Sequence, residues 1–181
     1  MNKQEWIDGV FTETSTDYKI AGTWILNKNE EDYLVKGVEL LCDKLNPSSV
    51  LEFGFGKGWT ATEFQRKGVA RHLILEPNKE NYQMALTWKS NYSTNIEILN
   101  IFSWEYNGGE TFDLVYDDRM EVIDENAHSS KMNQILNTGQ WYAGWSFPRG
   151  GDNVTSLGYP IHFELNGNRY TQDLAKYGEL L

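Results

Sequence analysis

Glu52, Gly54, Gly56 and Gly58 carry the clearest chemical signal in the chain, in the run Val50-Leu51-Glu52-Phe53-Gly54-Phe55-Gly56-Lys57-Gly58-Trp59-Thr60. Glycine permits backbone conformations closed to other residues and lets a ligand approach the chain without meeting a Cβ. A glycine turn from a strand into a helix also aims free N–H groups at that ligand. The dinucleotide fingerprint is G-x-G-x-x-G. Here position 59 is Trp and the third glycine is Gly58, so the pattern is acid-x-G-x-G-x-G. A pyrophosphate gains nothing from the Glu52 carboxylate. A ligand carrying an ammonium, with a sulfonium near it, does.

A second acid belongs with the first. Glu76 follows a short apolar run about 20 residues past the glycines, where a carboxylate can accept bonds from two ribose hydroxyls. Asp117 and Asp118 end a later apolar run. Asp117 is the catalytic candidate of the pair. Adjacent residues at a strand end diverge, so its neighbour Asp118 is expected at the surface. His72, His128 and His162 lack metal-ligand spacing. Ser15-Thr16 and Ser129-Ser130 lack a nucleophile context.

The elements that must position these residues follow from periodicity. Tyr33, Leu34, Val38, Leu41 and Leu45 fall at helical spacing, which predicts a helix over 29–45. Asn29, with Glu31 or Asp32 nearby, can cap it, and Asn46-Pro47-Ser48 ends it. The runs SVLEF, HLILE, IEILN and FDLVYD read as buried strands. Helices are predicted over 60–66, 79–90 and 127–136 between and after them. Strands alternating with helices predict an α/β domain with a mostly parallel sheet, and right-handed crossovers put helices on both faces. QWYAGWSF reads as a strand. IHFEL and RYTQDL flank Asn166-Gly167-Asn168, a hairpin signal that predicts a C-terminal antiparallel pair. Residues 1–28 have isolated aromatics and no clean period, and read as a cap or lid, with Tyr18 and Trp24 as closing residues. The main domain is 29–181.

LEFGFGKG, LILEPN, ILNIFSW and FDLVYDD, in this order, resemble the class I S-adenosylmethionine-dependent methyltransferases. The resemblance implies a Rossmann-like seven-stranded sheet with a terminal antiparallel hairpin, and S-adenosylmethionine as cofactor. It implies that Gly54, Gly56 and Gly58 approach the methionyl and ribose portions and that Glu52 lies near the methionyl amine. Glu76 would hold the ribose hydroxyls. Pro77 or Asn78 would border the adenine, and Phe102 and Ser103 would flank it. LEFGFGKG is also similar to the glycine motif of guanidinoacetate-type methyltransferases. Only Tyr116-Asp117 is kept of their Tyr-Asp-Thr-Tyr-Pro, so a guanidino substrate does not follow. A further alternative is a catechol-type enzyme of this fold, binding Mg²⁺ through Asp117 and the pair Asp152-Asn153. Others are a non-catalytic module that binds the cofactor, or a protein that uses it for other chemistry.

Composition narrows the acceptor. The 181 residues carry a net charge of −10, which disfavours nucleic acid. The Asn-Pro-Pro-Tyr or Asp-Pro-Pro-Tyr motif of amino-methylating DNA enzymes is absent. The acceptor is expected to be a small molecule or a peptide side chain. The lone Cys42 excludes an internal disulfide and reads as buried filler. No signal core or membrane-length apolar run is seen, so a soluble cytoplasmic protein is expected.

Overall fold

The computed structural model describes residues 2–118, 140–145 and 159–176. His128, the helix predicted over 127–136 and the pair Asp152-Asn153 lie outside them.

The main sheet is built from β4 (Ser49–Phe53), β5 (Arg71–Leu75), β6 (Asn95–Leu99), β7 (Leu114–Asp117), β8 (Trp141–Trp145), β9 (Ile161–Leu165) and β10 (Asn168–Lys176). Its seven strands run in the order β6-β5-β4-β7-β8-β10-β9. The pairings from β6 through to β8 are parallel, and β10 is antiparallel to both of its neighbours. Strand order reverses between β4 and β7, and in such sheets a crevice opens there, beyond the carboxyl ends of the strands. The Asn166-Gly167 turn behaves as its sequence predicts. Both residues take positive φ, +51° and +78°, as a two-residue hairpin requires.

Successive residues of a strand face opposite ways, and β4 shows the consequence. Val50 packs with Val38, Leu41, Leu114 and Tyr116 on one side of the sheet. Leu51 and Phe53 pack with Leu73, Leu75, Phe112 and Val115 on the other. Each such fully buried side chain contributes about 1.5–3 kcal/mol. This double burial explains why the central strands read as unbroken apolar runs.

Helix α2 (Glu31–Leu45) lies against one of these cores, and α3 (Trp59–Arg66) and α4 (Lys79–Lys89) complete the crossovers. The start of α2 differs from the expected Asn29 cap. A single 3₁₀ turn, Lys28–Glu30, precedes it, and Asn27 caps that turn. Its side chain accepts the Asn29 N–H at 2.9 Å, while Glu30 receives the Asn27 N–H at 3.1 Å. Asn46, at φ +47°, ends the helix as expected.

The N-terminal segment is an ordered unit. Helix α1 (Lys3–Asp8) precedes β1 (Phe11–Glu13), β2 (Asp17–Ile20) and β3 (Thr23–Asn27), which form an antiparallel sheet of their own. A register shift at Tyr18/Lys19 breaks the two-residue alternation, which is why no period shows in the sequence. Tyr18, Ile20, Ile25 and Leu26 pack with Leu34 of α2. The Asn78 side chain donates to the carbonyls of Trp6 and Gly9, both at 2.8 Å, and so ties α1 to the start of α4.

Candidate active site

Strand β4 ends at Phe53 and α3 begins at Trp59, so the glycines occupy the turn between them. Gly54, Gly56 and Gly58 hold φ of +81°, +53° and +73°, a region that strains residues with a Cβ. Their surroundings differ. A Cβ on Gly54 would meet nothing within 4 Å, and Gly54 lines an open cavity. A Cβ on Gly58 would lie 2.6 Å from the Phe55 ring. Gly58 is not among the residues lining the cavity; its missing side chain lets that ring tuck under the helix start.

The cavity holds about 840 Å³ including its mouth. Its floor is the Gly54–Gly56 turn. Glu76, Pro77, Phe102 and Ser103 share its wall, so the sequence-predicted residues from three strand ends converge. The N-terminal unit supplies Trp6, Ile20, Ile25 and Leu26. Tyr18 is buried beneath rather than lining the space, and the Trp24 indole donates to Asp17 at 3.2 Å.

Glu76 sits just past β5, 3% exposed. Its carboxylate accepts the backbone N–H groups of Phe55 and Asn78, both at 2.8 Å, and the Asn81 side-chain amide at 2.9 Å. Burial pushes its pKa up, and these N–H bonds oppose the rise. The acid therefore ties the glycine turn to the start of α4. Phe102 stacks on Trp104, with ring centres 4.4 Å apart and planes 17° apart.

Two acids stand elsewhere than the sequence suggests. Glu52 is 1% exposed and is not among the residues lining the cavity. It bonds instead to Thr60 and His72, and Thr60 stands on the wall in its place. Asp117 and Asp118 diverge, but neither is a surface residue. Asp117 is buried and accepts the Tyr142 hydroxyl at 2.8 Å. Asp118 is half-buried and lines the cavity. Burial pushes its carboxyl well above the usual range, and the negative charges of Glu30, Asp117 and Glu52 add to the rise.

Sequence reasoning missed several wall residues: Trp6, Lys57, Thr60, Asn81 and Trp104. Lys57 and Thr60 lie in or beside the glycine motif, a signal that was available. Trp6 and Asn81 come together through the docking of α1 on α4, which no local pattern announces. The Lys57 ammonium lies 4.8 Å from the Tyr18 ring centre and 5.5 Å from that of Phe11. Cys42 is buried, and burial pushes its thiol up to about 12, the state of an inert thiol. Among the described residues, no group of three His, Cys, Asp or Glu side chains could hold a metal ion. Among them, too, no helix is long and apolar enough to cross a membrane.

The family model described as guanidinoacetate N-methyltransferase matches residues 2–144. The chain belongs to this family. It is thus an S-adenosylmethionine-dependent methyltransferase of class I. Solved structures agree on the fold. The N-methyltransferase NodS from Bradyrhizobium japonicum WM9 superposes with a TM-score of 0.62 at 13% identity, over 82% of this chain and 97% of NodS. A second NodS structure, in complex with S-adenosyl-L-homocysteine, gives 0.55 at 16% identity, over 65% and 62% of the two chains. The putative methyltransferase yhhF from Escherichia coli gives 0.62 at 11% identity, over 80% and 86%. The [4+2]-cyclase SpnF gives 0.55 at 13% identity, over 65% and 48%. The same fold therefore also carries chemistry other than methyl transfer. A search of curated proteins finds no match to the sequence.

Proposed function

We propose that the chain methylates a nitrogen atom of a small molecule or peptide side chain, with Asp118 facing the acceptor. The observation that carries this reading is the position of Asp118. It stands at the carboxyl end of β7, on the wall of the cavity floored by Gly54 and Gly56. The family description and the N-methyltransferase NodS support nitrogen as the acceptor atom.

The cavity suits S-adenosylmethionine on its own chemistry. Gly54 leaves open space where a Cβ would stand. Two buried wall atoms, Trp6 Nε1 and Asn81 Oδ1, find no hydrogen-bond partner among the described residues. Orphaned buried polar atoms are costly, and a polar ligand would satisfy one donor and one acceptor there. The Glu76 carboxylate would receive ribose hydroxyls, and Phe102, Ser103 and Pro77 would border the base.

When bound, the cofactor supplies a methyl carbon activated by its sulfonium. The protein's share is alignment and electrostatics. The turn and Glu76 fix one reactant. Asp118 orients the acceptor nitrogen and takes a proton from it when that nitrogen is protonated. A carboxyl with a raised pKa is the better base for this step near neutral pH. Asp117, held by Tyr142, supports the strand end from behind.

Product mass analysis across small amines, guanidines and phenols, with and without a chelator, tests the proposal. Gain of one methyl on a nitrogen, insensitive to chelator and lost in Asp118→Asn with cofactor affinity retained, is the expected result. Turnover abolished in Asp117→Asn but kept in Asp118→Asn would return the acceptor to Asp117. Loss of turnover on chelation would favour the Mg²⁺ reading.

A further inference from the structure

The side chain of Gln172 on β10 is wholly buried, and neither its amide nitrogen nor its amide oxygen has a hydrogen-bond partner among the described residues. Burying an amide without partners is costly. An apolar side chain of similar volume would fill the space without that cost. Gln172 also lies beyond residues 2–144, the part of the chain that the family model matches.

The sheet places this amide at the acceptor end. Residues two apart on a strand share a face, so Gln172 lies between Tyr170 and Leu174. Tyr170 stacks on Tyr33 of α2, with ring centres 4.8 Å apart. Leu174 packs with Val38 and Leu41 of α2 and with Tyr116 of β7. Asp118 stands two residues past Tyr116 and continues the same face. The register sets Asp117 beside Gly144 and Gly144 beside Asp173. Asp118 is therefore level with Gln172, two strands or about 10 Å away. Tyr33 lies near both: burial raises its phenol pKa, and Glu30, Asp118 and Tyr170 add to the rise. Leu34, the next residue of α2, lines the cavity together with Asp118.

An amide offers a donor and an acceptor side by side. Another carboxamide satisfies both at once. A carboxylate cannot donate, and an ammonium or guanidinium cannot accept. Charge points the same way, because Glu30, Asp117 and Glu52 already surround Asp118 with negative charge, which repels a carboxylate.

We propose that Gln172 is a specificity-determining residue of the acceptor site, and that the acceptor is an amine bearing a carboxamide a few bonds from the nitrogen that faces Asp118. This rests on the reading of Asp118 as the acceptor-facing acid. Guanidinoacetate, which ends in a carboxylate, is then a poor acceptor for this chain.

Titration calorimetry on the full chain, saturated with S-adenosylhomocysteine, tests the proposal with β-alaninamide and β-alanine as probes. The unaltered chain should bind the carboxamide roughly tenfold or more tightly than the carboxylate. Gln172→Met removes both amide groups at similar volume. It should weaken β-alaninamide by roughly tenfold or more and leave β-alanine and S-adenosylhomocysteine unchanged. It should also melt no lower than the wild type, since no hydrogen bond is lost. Equal binding of the two probes, binding of neither, or undiminished β-alaninamide affinity in Gln172→Met overturns the proposal. The comparison of probes on the unaltered chain decides it even where the variant folds poorly. Carboxamide binding that depends on Gln172, with no methyl gained on the probe's nitrogen when S-adenosylmethionine is supplied, would keep the Gln172 contact and overturn the methylation reading instead.

Discussion

Alanine at Gly54 and, separately, at Gly58 divides the two uses to which the glycine turn is put. Both residues hold positive φ, +81° and +73°, where a Cβ costs about 1–2 kcal/mol. At Gly54 that is the whole cost to the empty protein, because the new methyl meets nothing within 4 Å. At Gly58 the methyl would lie 2.6 Å from the Phe55 ring, and Phe55 is a buried core residue. Such crowding adds about 1–3 kcal/mol, for a total of about 2–5 kcal/mol. For a chain of this size each kcal/mol lowers Tm by about 2–4 °C, so Gly54→Ala should lose about 2–8 °C and Gly58→Ala about 4–20 °C. Binding should reverse the order. The Gly54 methyl would stand in the ligand's space at a cost of about 1–3 kcal/mol, or about five- to 150-fold in affinity. Gly58→Ala, measured well below its Tm, should bind S-adenosylhomocysteine as the wild type does. Thermal melts and calorimetry on the two variants supply the readings. Wild-type affinity in Gly54→Ala would refute the claim that this glycine exists for close approach of a ligand.

Other outcomes follow from the same structure. Glu76→Ala removes a carboxylate from the wall and should weaken S-adenosylhomocysteine by roughly tenfold or more, which unchanged calorimetry would contradict. Deleting residues 1–28 strips Trp6, Ile20, Ile25 and Leu26 from the cavity, so cofactor affinity should fall; retained affinity would show the N-terminal unit to be dispensable for binding. Asp118 has a folded pKa raised above its unfolded value, mainly by burial. Its contribution to stability is therefore present at low pH and lost as pH rises through the folded pKa. Asp118→Asn should flatten the fall in Tm between acidic and neutral pH and melt higher at pH 7; parallel Tm–pH curves for variant and wild type would refute the assignment.

Much of this molecule is legible in its residues because the relevant forces are local. Double-sided burial writes β4, β5 and β7 as apolar runs. The positive φ of Asn166 and Gly167 is demanded by a two-residue turn, and the turn from strand to helix needs glycine wherever φ is positive. Glu76 reads as a site residue because one strand and one helix separate it from the glycines by a fixed length of chain.

What the tertiary structure decided is which side chains see the cavity. Asp117 and Asp118 alternate by one residue, and it is Asp117 that is buried and accepts the Tyr142 hydroxyl from β8. Glu52 lies two residues before the first glycine, yet His72 from the neighbouring strand and Thr60 from the next helix enclose it. Trp6 reaches the wall because Asn78, 72 residues away in the chain, binds the Trp6 carbonyl. A sequence specifies turns and periods through contacts between near neighbours. The faces that meet across a cavity are fixed by long-range packing, which no short window of residues contains.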